Sequence, residues 1–161
     1  MHSNFDSMII LIQIIIGVAT FCGMEFVAWF SHKYIMHGFL WVLHKDHHQP
    51  NKGWFERNDT FFIFYAAIST GLVIAWGEGV FEYGISMGLG ILFYGMTYFA
   101  IHDIFIHQRL SWLKRTDSAY FRAIRKAHKV HHKNLGKGEG ECFGMLVVPA
   151  KYYKEANKSK Q

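Results

Sequence analysis

Cysteine is nearly absent: Cys22 and Cys142 are the only two in 161 residues. A pair so placed forms neither a C-x-x-C knuckle nor a disulfide-rich scaffold, so any metal chemistry must rest on nitrogen and oxygen donors. Positive charge is missing from most of the chain as well. All 17 Lys and Arg fall between Lys33 and Arg57 or between Arg109 and Lys160, and residues 1–7 and 77–82 carry none. The leader MHSNFDS thus lacks the positive charge of a secretory signal peptide, and no small-x-small cleavage site precedes His32. In the glycine-rich run GKGEGECFG, the missing strand before it and helix after it argue against a dinucleotide-binding fingerprint. The hydrophobic total of 51% is average, but its segregation from the charges excludes an ordinary soluble domain.

Three apolar blocks are present. Met8 to Phe30 runs for 23 residues with only Gln13 and Glu25 strongly polar. As a helix it reaches roughly 35 Å, enough for a hydrocarbon core of ~30 Å. Phe61 to Trp76 is shorter, opens on the N-cap types Asn58, Asp59 and Thr60, and spans only if that polar start sits at the interface. Tyr83 to Ile101 carries glycine at 84, 88, 90 and 95, and small residues so spaced let helices approach closely in lipid.

The predicted architecture is an all-α integral membrane protein with three to four transmembrane helices and a cytosolic, histidine-rich helical cap holding a dimetal site. It forms a single membrane domain over residues 1–161, with spans at about 8–30, 59–76 and 83–101. Three spans place both basic stretches on one side, a division of 17 to zero that the positive-inside rule assigns to the cytosolic face of the inner membrane. The cytosolic regions are then 31–58 and 102–149, and 150–161 reads as a polar tail. Between Tyr120 and Lys133, helical periodicity gathers Phe121, Ile124, His128, His131 and His132 on one face. Arg122, Lys126, Lys129 and Lys133 form a separate stripe, the pattern of a helix lying at the membrane surface.

Of eleven histidines, only His2 stands apart from four clusters. His32 and His37 lie in HKYIMH and His44, His47 and His48 in HKDHH; His102 and His107 lie in HDIFIH and His128, His131 and His132 in HKVHH. An H-x-x-H-H box places its histidines at i, i+3 and i+4, on one helix face, where three nitrogens can converge on a shared site. An H-x(4)-H pair is about 140° apart on an ideal α-helix, which predicts that each pair straddles a helix end where the backbone bends. The charge-derived topology brings all four clusters to one depth. Ten imidazoles exceed what one tetrahedral zinc needs, so two metals are the economical reading. Imidazole suits iron, zinc, copper and nickel alike; a many-ligand site at a membrane interface favours iron. Asp46, Asp103, Glu56 and Asp59 are the candidates to accept the free ring N–H groups.

The sequences GMEFVAWFSHKYIMHG, HKDHHQPNKGWFERND, HDIFIHQR and AHKVHH, in this order and spacing, closely resemble the bacterial beta-carotene 3-hydroxylases of the membrane di-iron fatty acid hydroxylase superfamily. The likeness runs from about Gly23 to Gly144, and the ten histidines match the family's boxes one for one. GKGEGECFG departs from the pattern, and no site residue is placed there. The resemblance implies a centre of two non-haem irons, with zinc as a possible occupant of purified protein, and dioxygen as cosubstrate. The implied reaction is monooxygenation of beta-carotene through beta-cryptoxanthin to zeaxanthin. The implied ligands are His32, His37, His44, His47, His48, His102, His107, His128, His131 and His132, with no catalytic residue beyond them.

A ring methylene is an unactivated C–H bond, beyond the reach of acid-base groups, so the metal pair must carry the oxidation while the protein orients the ring. A carotenoid dissolved in the bilayer enters laterally, and Trp29, Phe30, Phe93, Tyr94, Tyr98 and Phe99 are candidate lining residues. Two external electrons per turnover require a ferredoxin with its NAD(P)H-dependent reductase, and Arg122, Lys126 and Lys129 are candidates to dock it, alongside anionic membrane lipid. Nucleic acid is not an expected partner. The nearest alternative is a fatty-acid or sterol hydroxylase or desaturase with the same engine. A more remote one is a non-catalytic zinc-binding membrane protein, which requires polar residues through the spans.

Overall fold

The computed structural model describes residues 2–49, 55–110, 113–138 and 140–158. Among them all regular structure is helical: α1 (His2–Phe30), a π-helical segment (Ser31–Phe39), α2 (Trp41–His48), α3 (Asp59–Gly77), α4 (Gly84–Phe99), a second π-helical segment (Ala100–Ile106), α5 (Ala119–His131) and α6 (Ala150–Lys158). The stretches Asp6–Phe39, Asp59–Gly77 and Gly84–Ile106 are long and apolar enough to cross a membrane, in keeping with the all-α membrane class read from the sequence. By starting at Asp59, α3 gains the polar first turn that its apolar run lacks, and its rise reaches about 28 Å. The chain divides into two compact units, residues 1–24 with 61–97 and residues 25–60 with 98–161.

The first unit packs through small residues. A methyl group on Gly84 would lie 2.2 Å from the Leu72 carbonyl oxygen, and one on Gly88 would lie 2.8 Å from that of Ser69, so α4 rests directly on the α3 backbone. Gly90 does the same against α1, where a Cβ would meet Gly17 O at 2.7 Å and Thr20 Cβ at 2.8 Å. Lipid tails are as apolar as side chains, so helix association in a bilayer depends on this kind of close approach. Gly95, the fourth glycine of the series, has nothing within 4 Å of its added Cβ. Ser69 Oγ donates to Gly88 O at 2.7 Å, and the Phe21 and Tyr94 rings meet edge to face at 5.7 Å. Gln13 is satisfied within the unit: its Nε2 donates to Glu82 O at 3.1 Å, and the Ser86 hydroxyl donates to its Oε1. Ile10, Ile14, Val18, Ile63, Phe64 and Ile74 are exposed, as side chains facing lipid tails should be.

The second unit carries the histidines. Ile101, Phe105, Ile106, Ile124 and Met145 form one buried cluster, and Ala123 and Ala127 of α5 meet Tyr152 and Ala156 of α6 in another. The expectation of a polar tail after residue 149 is therefore corrected: α6 is a docked helix whose i, i+4 pair Tyr152 and Ala156 is buried against small residues of α5. Of the face predicted for α5, Ile124, His128 and His131 are buried while Phe121 is 36% exposed, and Ala123 and Ala127 turn toward α6. Glu25, the remaining strongly polar residue of the first apolar block, anchors the chain after the last histidines. Its Oε1 accepts the backbone N–H groups of Met145, Leu146 and Val147 at 2.9, 2.8 and 3.0 Å.

Candidate metal centre

The H-x(4)-H pairs sit in the two π-helical segments. Each pair does end at a helix break, His37 just before Gly38 and His107 as the cap of the second π-helical segment, but π-helical closure corrects the angular spacing drawn for an α-helix. A π turn closes i to i+5 with about 4.4 residues per turn, so residues five apart fall roughly 50° from each other instead of about 140°. The His107 N–H reaches His102 O at 2.9 Å, which is such a bond directly across the second pair. In the first segment Leu40 N–H reaches Ile35 O at 3.0 Å, and the helix breaks only after His37, at Gly38 (φ −95°, ψ −125°).

Nine histidines then gather into two groups. The nitrogens of His32, His37, His44, His48 and His131 lie within 4.8 Å of one another, and so do those of His47, His107, His128 and His132. Each H-x-x-H-H box contributes to both groups rather than to one. On an α-helix i+4 lies about 40° to one side of i and i+3 about 60° to the other. His44 and His48 accordingly share the first group while His47 turns to the second; on α5, His128 and His132 share the second while His131 turns to the first. His48 and His132 stack at 4.4 Å between ring centroids, so the groups adjoin.

The hydrogen bonds fix which nitrogen is free. In the first group every Nδ1 meets an oxygen that only accepts: His32 with Phe143 O at 2.9 Å, His37 with Lys137 O at 3.0 Å, His48 with Asn134 O at 3.0 Å and His131 with Glu141 O at 2.9 Å. His44 Nδ1 donates to Asn58 Oδ1 at 2.6 Å. A neutral imidazole has one ring proton, so each Nε2 keeps a bare lone pair. Those lone pairs face one another: His32 and His44 at 3.1 Å, His44 and His48 at 3.1 Å, His48 and His131 at 3.2 Å, and His37 and His131 at 3.3 Å. In the second group His47 Nδ1 donates to Glu56 Oε2 at 2.7 Å, and the buried Nε2 atoms of His47 and His132 have no hydrogen-bond partner. Converging, proton-free donors of this kind fit metal ions.

Burial also keeps the rings neutral. It lowers the His48 pKa to about 4 and that of His131 to about 3, with neighbouring imidazoles adding repulsion. His44, His47, His107, His128 and His132 are likewise held well below the usual histidine value, burial being the main cause in each.

The other predicted residues divide by role. His102 lies outside both groups by atom distance, but its ring stacks 4.7 Å from His47 and its Nδ1 donates to Asp103 Oδ2 at 3.0 Å. Of the four acids, Glu56 and Asp103 do accept ring N–H groups. Asp59 and Asp46 instead accept backbone N–H groups, from Glu56 at 3.1 Å and Arg57 at 2.7 Å. Tyr98 sits 4.9 Å from the His102 ring. Tyr94 is 3% exposed and is core of the first unit, whereas Phe30, Phe93 and Phe99 are exposed and Trp29 packs on Phe26 at 5.7 Å. Phe93 lines an apolar groove of about 490 Å³ between α1 and α4, with Ile14, Val18, Phe21 and Leu89. Among the docking candidates, Lys126 pairs with Glu155 at 2.9 Å, Arg122 Nη1 donates to Asp117 O and Lys129 is exposed.

Two contributors were missed. Asn58, an N-cap type by sequence, holds His44, and the carbonyls of Asn134, Lys137, Glu141 and Phe143, in a region with no expected site residue, serve the first group. The signal for the second was its glycines: a Cβ on Gly140 would lie 2.9 Å from the Phe143 ring and 3.5 Å from His131 Cε1.

Three helices apolar enough to cross a membrane and two histidine groups suited to metal ions define the class, and residues 17–149 match the fatty acid hydroxylase family, to which the chain belongs. Within it the chain is similar to the beta-carotene hydroxylase of Pantoea ananas, 38% identical over 135 residues that cover 84% of this chain and 77% of that one. It is 35% identical to that of Pseudescherichia vulneris, covering 86% and 78%, and 34% identical to that of Paracoccus sp. (strain PC1), covering 85% of both. No solved structure matches it.

Proposed function

We propose that the chain is a beta-carotene 3-hydroxylase, a non-haem di-iron monooxygenase that uses dioxygen to convert beta-carotene through beta-cryptoxanthin to zeaxanthin. The observation that carries the metal part is the set of lone pairs at Nε2, each fixed by an Nδ1 hydrogen bond. The carotenoid part rests on likeness to three bacterial relatives of that activity. His32, His37, His44, His48 and His131 would hold one ion and His47, His107, His128 and His132 the other, with His102 beside the second. When bound, the pair would supply the reductive activation that lets dioxygen, the oxidant, attack an unactivated C–H bond. More than four imidazoles in one group suits iron better than a closed tetrahedral zinc.

The chain's own residues orient and protect. Backbone carbonyls of Asn134, Lys137, Glu141 and Phe143 and the Asn58, Glu56 and Asp103 side chains fix the tautomers of the rings they bond. His44, His102 and His131 are at most 2% exposed, which keeps water from these rings. Gln13 and Glu25 are both engaged in structural hydrogen bonds, so neither marks a polar path for ion transport. Electrons would come from a ferredoxin and its reductase at the cytosolic face of the inner membrane.

The test is pigment chromatography in a host that accumulates beta-carotene, with His131→Ala as control. Zeaxanthin formed only by the intact chain is expected. Unchanged beta-carotene, with iron-loaded protein in the membrane and a working ferredoxin, would overturn the substrate assignment.

A further inference from the structure

One heavily engaged side chain of the second unit outside the histidines is Arg109, which the proposed function leaves without a role. Its guanidinium gathers three carboxylates. Nε meets Asp103 Oδ1 at 3.0 Å, Nη1 and Nη2 form a fork on Asp59 at 3.2 and 2.9 Å, and Nη2 also meets Glu56 Oε2 at 3.1 Å. Two of these acids hold histidines: Glu56 bonds His47, and Asp103 bonds His102, whose ring stacks on His47. Both arms of the guanidinium therefore lead to the same corner of the second group.

The backbone is shaped to deliver this side chain. Gln108 adopts φ +56°, in the left-handed region that a non-glycine residue seldom enters. The Arg109 N–H then turns back to Asp103 O at 2.9 Å, an i to i+6 closure at the end of the π-helical segment. The first group has no such acid layer: its Nδ1 protons go to four backbone carbonyls and the Asn58 amide.

We propose that Arg109 is the positioning residue for the second metal alone, its planar fork holding Glu56 and Asp103 as anionic acceptors for His47 and His102 while the first metal is held independently of it. The inference rests on the two-metal reading above. Without the guanidinium, three carboxylates at this spacing repel one another and swing toward water, and His47 loses the bond that fixes its tautomer. Lysine restores the charge and not the fork, so it cannot hold three acids in one plane.

The experiment counts metal per folded chain in detergent-purified, iron-supplied protein, for wild type, Arg109→Gln and Arg109→Lys. Two metals are expected in wild type, about one in Arg109→Gln, and fewer than two in Arg109→Lys. Adding His132→Ala to Arg109→Gln should cost no further metal, whereas adding His48→Ala should remove the remaining one. Retention of two metals by either Arg109 variant overturns the proposal. So does further loss on adding His132→Ala, or loss of both metals or of the folded chain in both single variants, which would make Arg109 a general folding residue. A wild-type chain holding fewer than two metals would instead overturn the two-metal reading, and the proposal with it.

Discussion

Replacing Asn58 by alanine tests the tautomer argument at one bond. The Asn58 amide oxygen accepts from His44 Nδ1 at 2.6 Å, with Asn58 6% and His44 2% exposed, so no water can take over. The variant leaves a buried N–H unsatisfied, at about 1–3 kcal/mol, or lets the ring move its proton to Nε2 and lose its lone pair. Either route acts directly on metal affinity. At 1.4 kcal/mol per tenfold, that range corresponds to a loss of roughly 5- to 150-fold, in line with the ~10–100-fold expected of such partners. Asn58→Asp keeps an acceptor oxygen in place and should hold metal within a few-fold of wild type. The assay is competition with a chromogenic chelator in detergent, beside thermal unfolding of the metal-free chain. An unchanged Kd in Asn58→Ala would refute the reasoning, as would an Asp variant as damaged as the Ala variant.

Two further outcomes are expected. Histidine pKa values are depressed in the fold, to about 4 for His48 and about 3 for His131, so the unfolded chain binds more protons below pH ~6.5. Stability of the metal-free chain should be full above that pH and fall as pH drops from ~6.5 toward 4, by up to ~1.4 kcal/mol per pH unit for each such ring; flat thermal unfolding temperatures over this window would contradict it. Gly90→Ala should lower the unfolding temperature, at a cost of roughly 1–3 kcal/mol, because its Cβ would meet Gly17 O at 2.7 Å, while Gly95→Ala, with nothing within 4 Å, should not; equal effects would remove the close-packing account of α1 and α4.

The membrane helices were legible because lipid demands long apolar runs, and these are visible in any reading of the chain. The gathering of the histidines was legible because H-x-x-H-H has a fixed meaning on a helix. Their partition was not: it depends on whether i+3 or i+4 faces which neighbour, and that is settled by helices packed far apart in sequence. The π closure of the H-x(4)-H pairs was not legible, for a local reason. An α-helix has 3.6 residues per turn, and nothing in HKYIMH or HDIFIH announces the wider π turn. The carbonyls of 134–143 escaped notice because a backbone acceptor has no residue type. Arg109 looked like one more basic charge until its three acids, drawn from positions 56 to 103, were seen around it.

The interchange of histidines between α2 and α5 makes the two groups interdependent in assembly. Neither box can be removed without stripping both groups, since each sends ligands to each. An ion entering the first group ties α2 to α5 through His44, His48 and His131, and so leaves His47, His128 and His132 already assembled at high effective concentration for the next. Were two ions to load in that order, the first would bear most of the ordering entropy and the second would bind to a frame already closed.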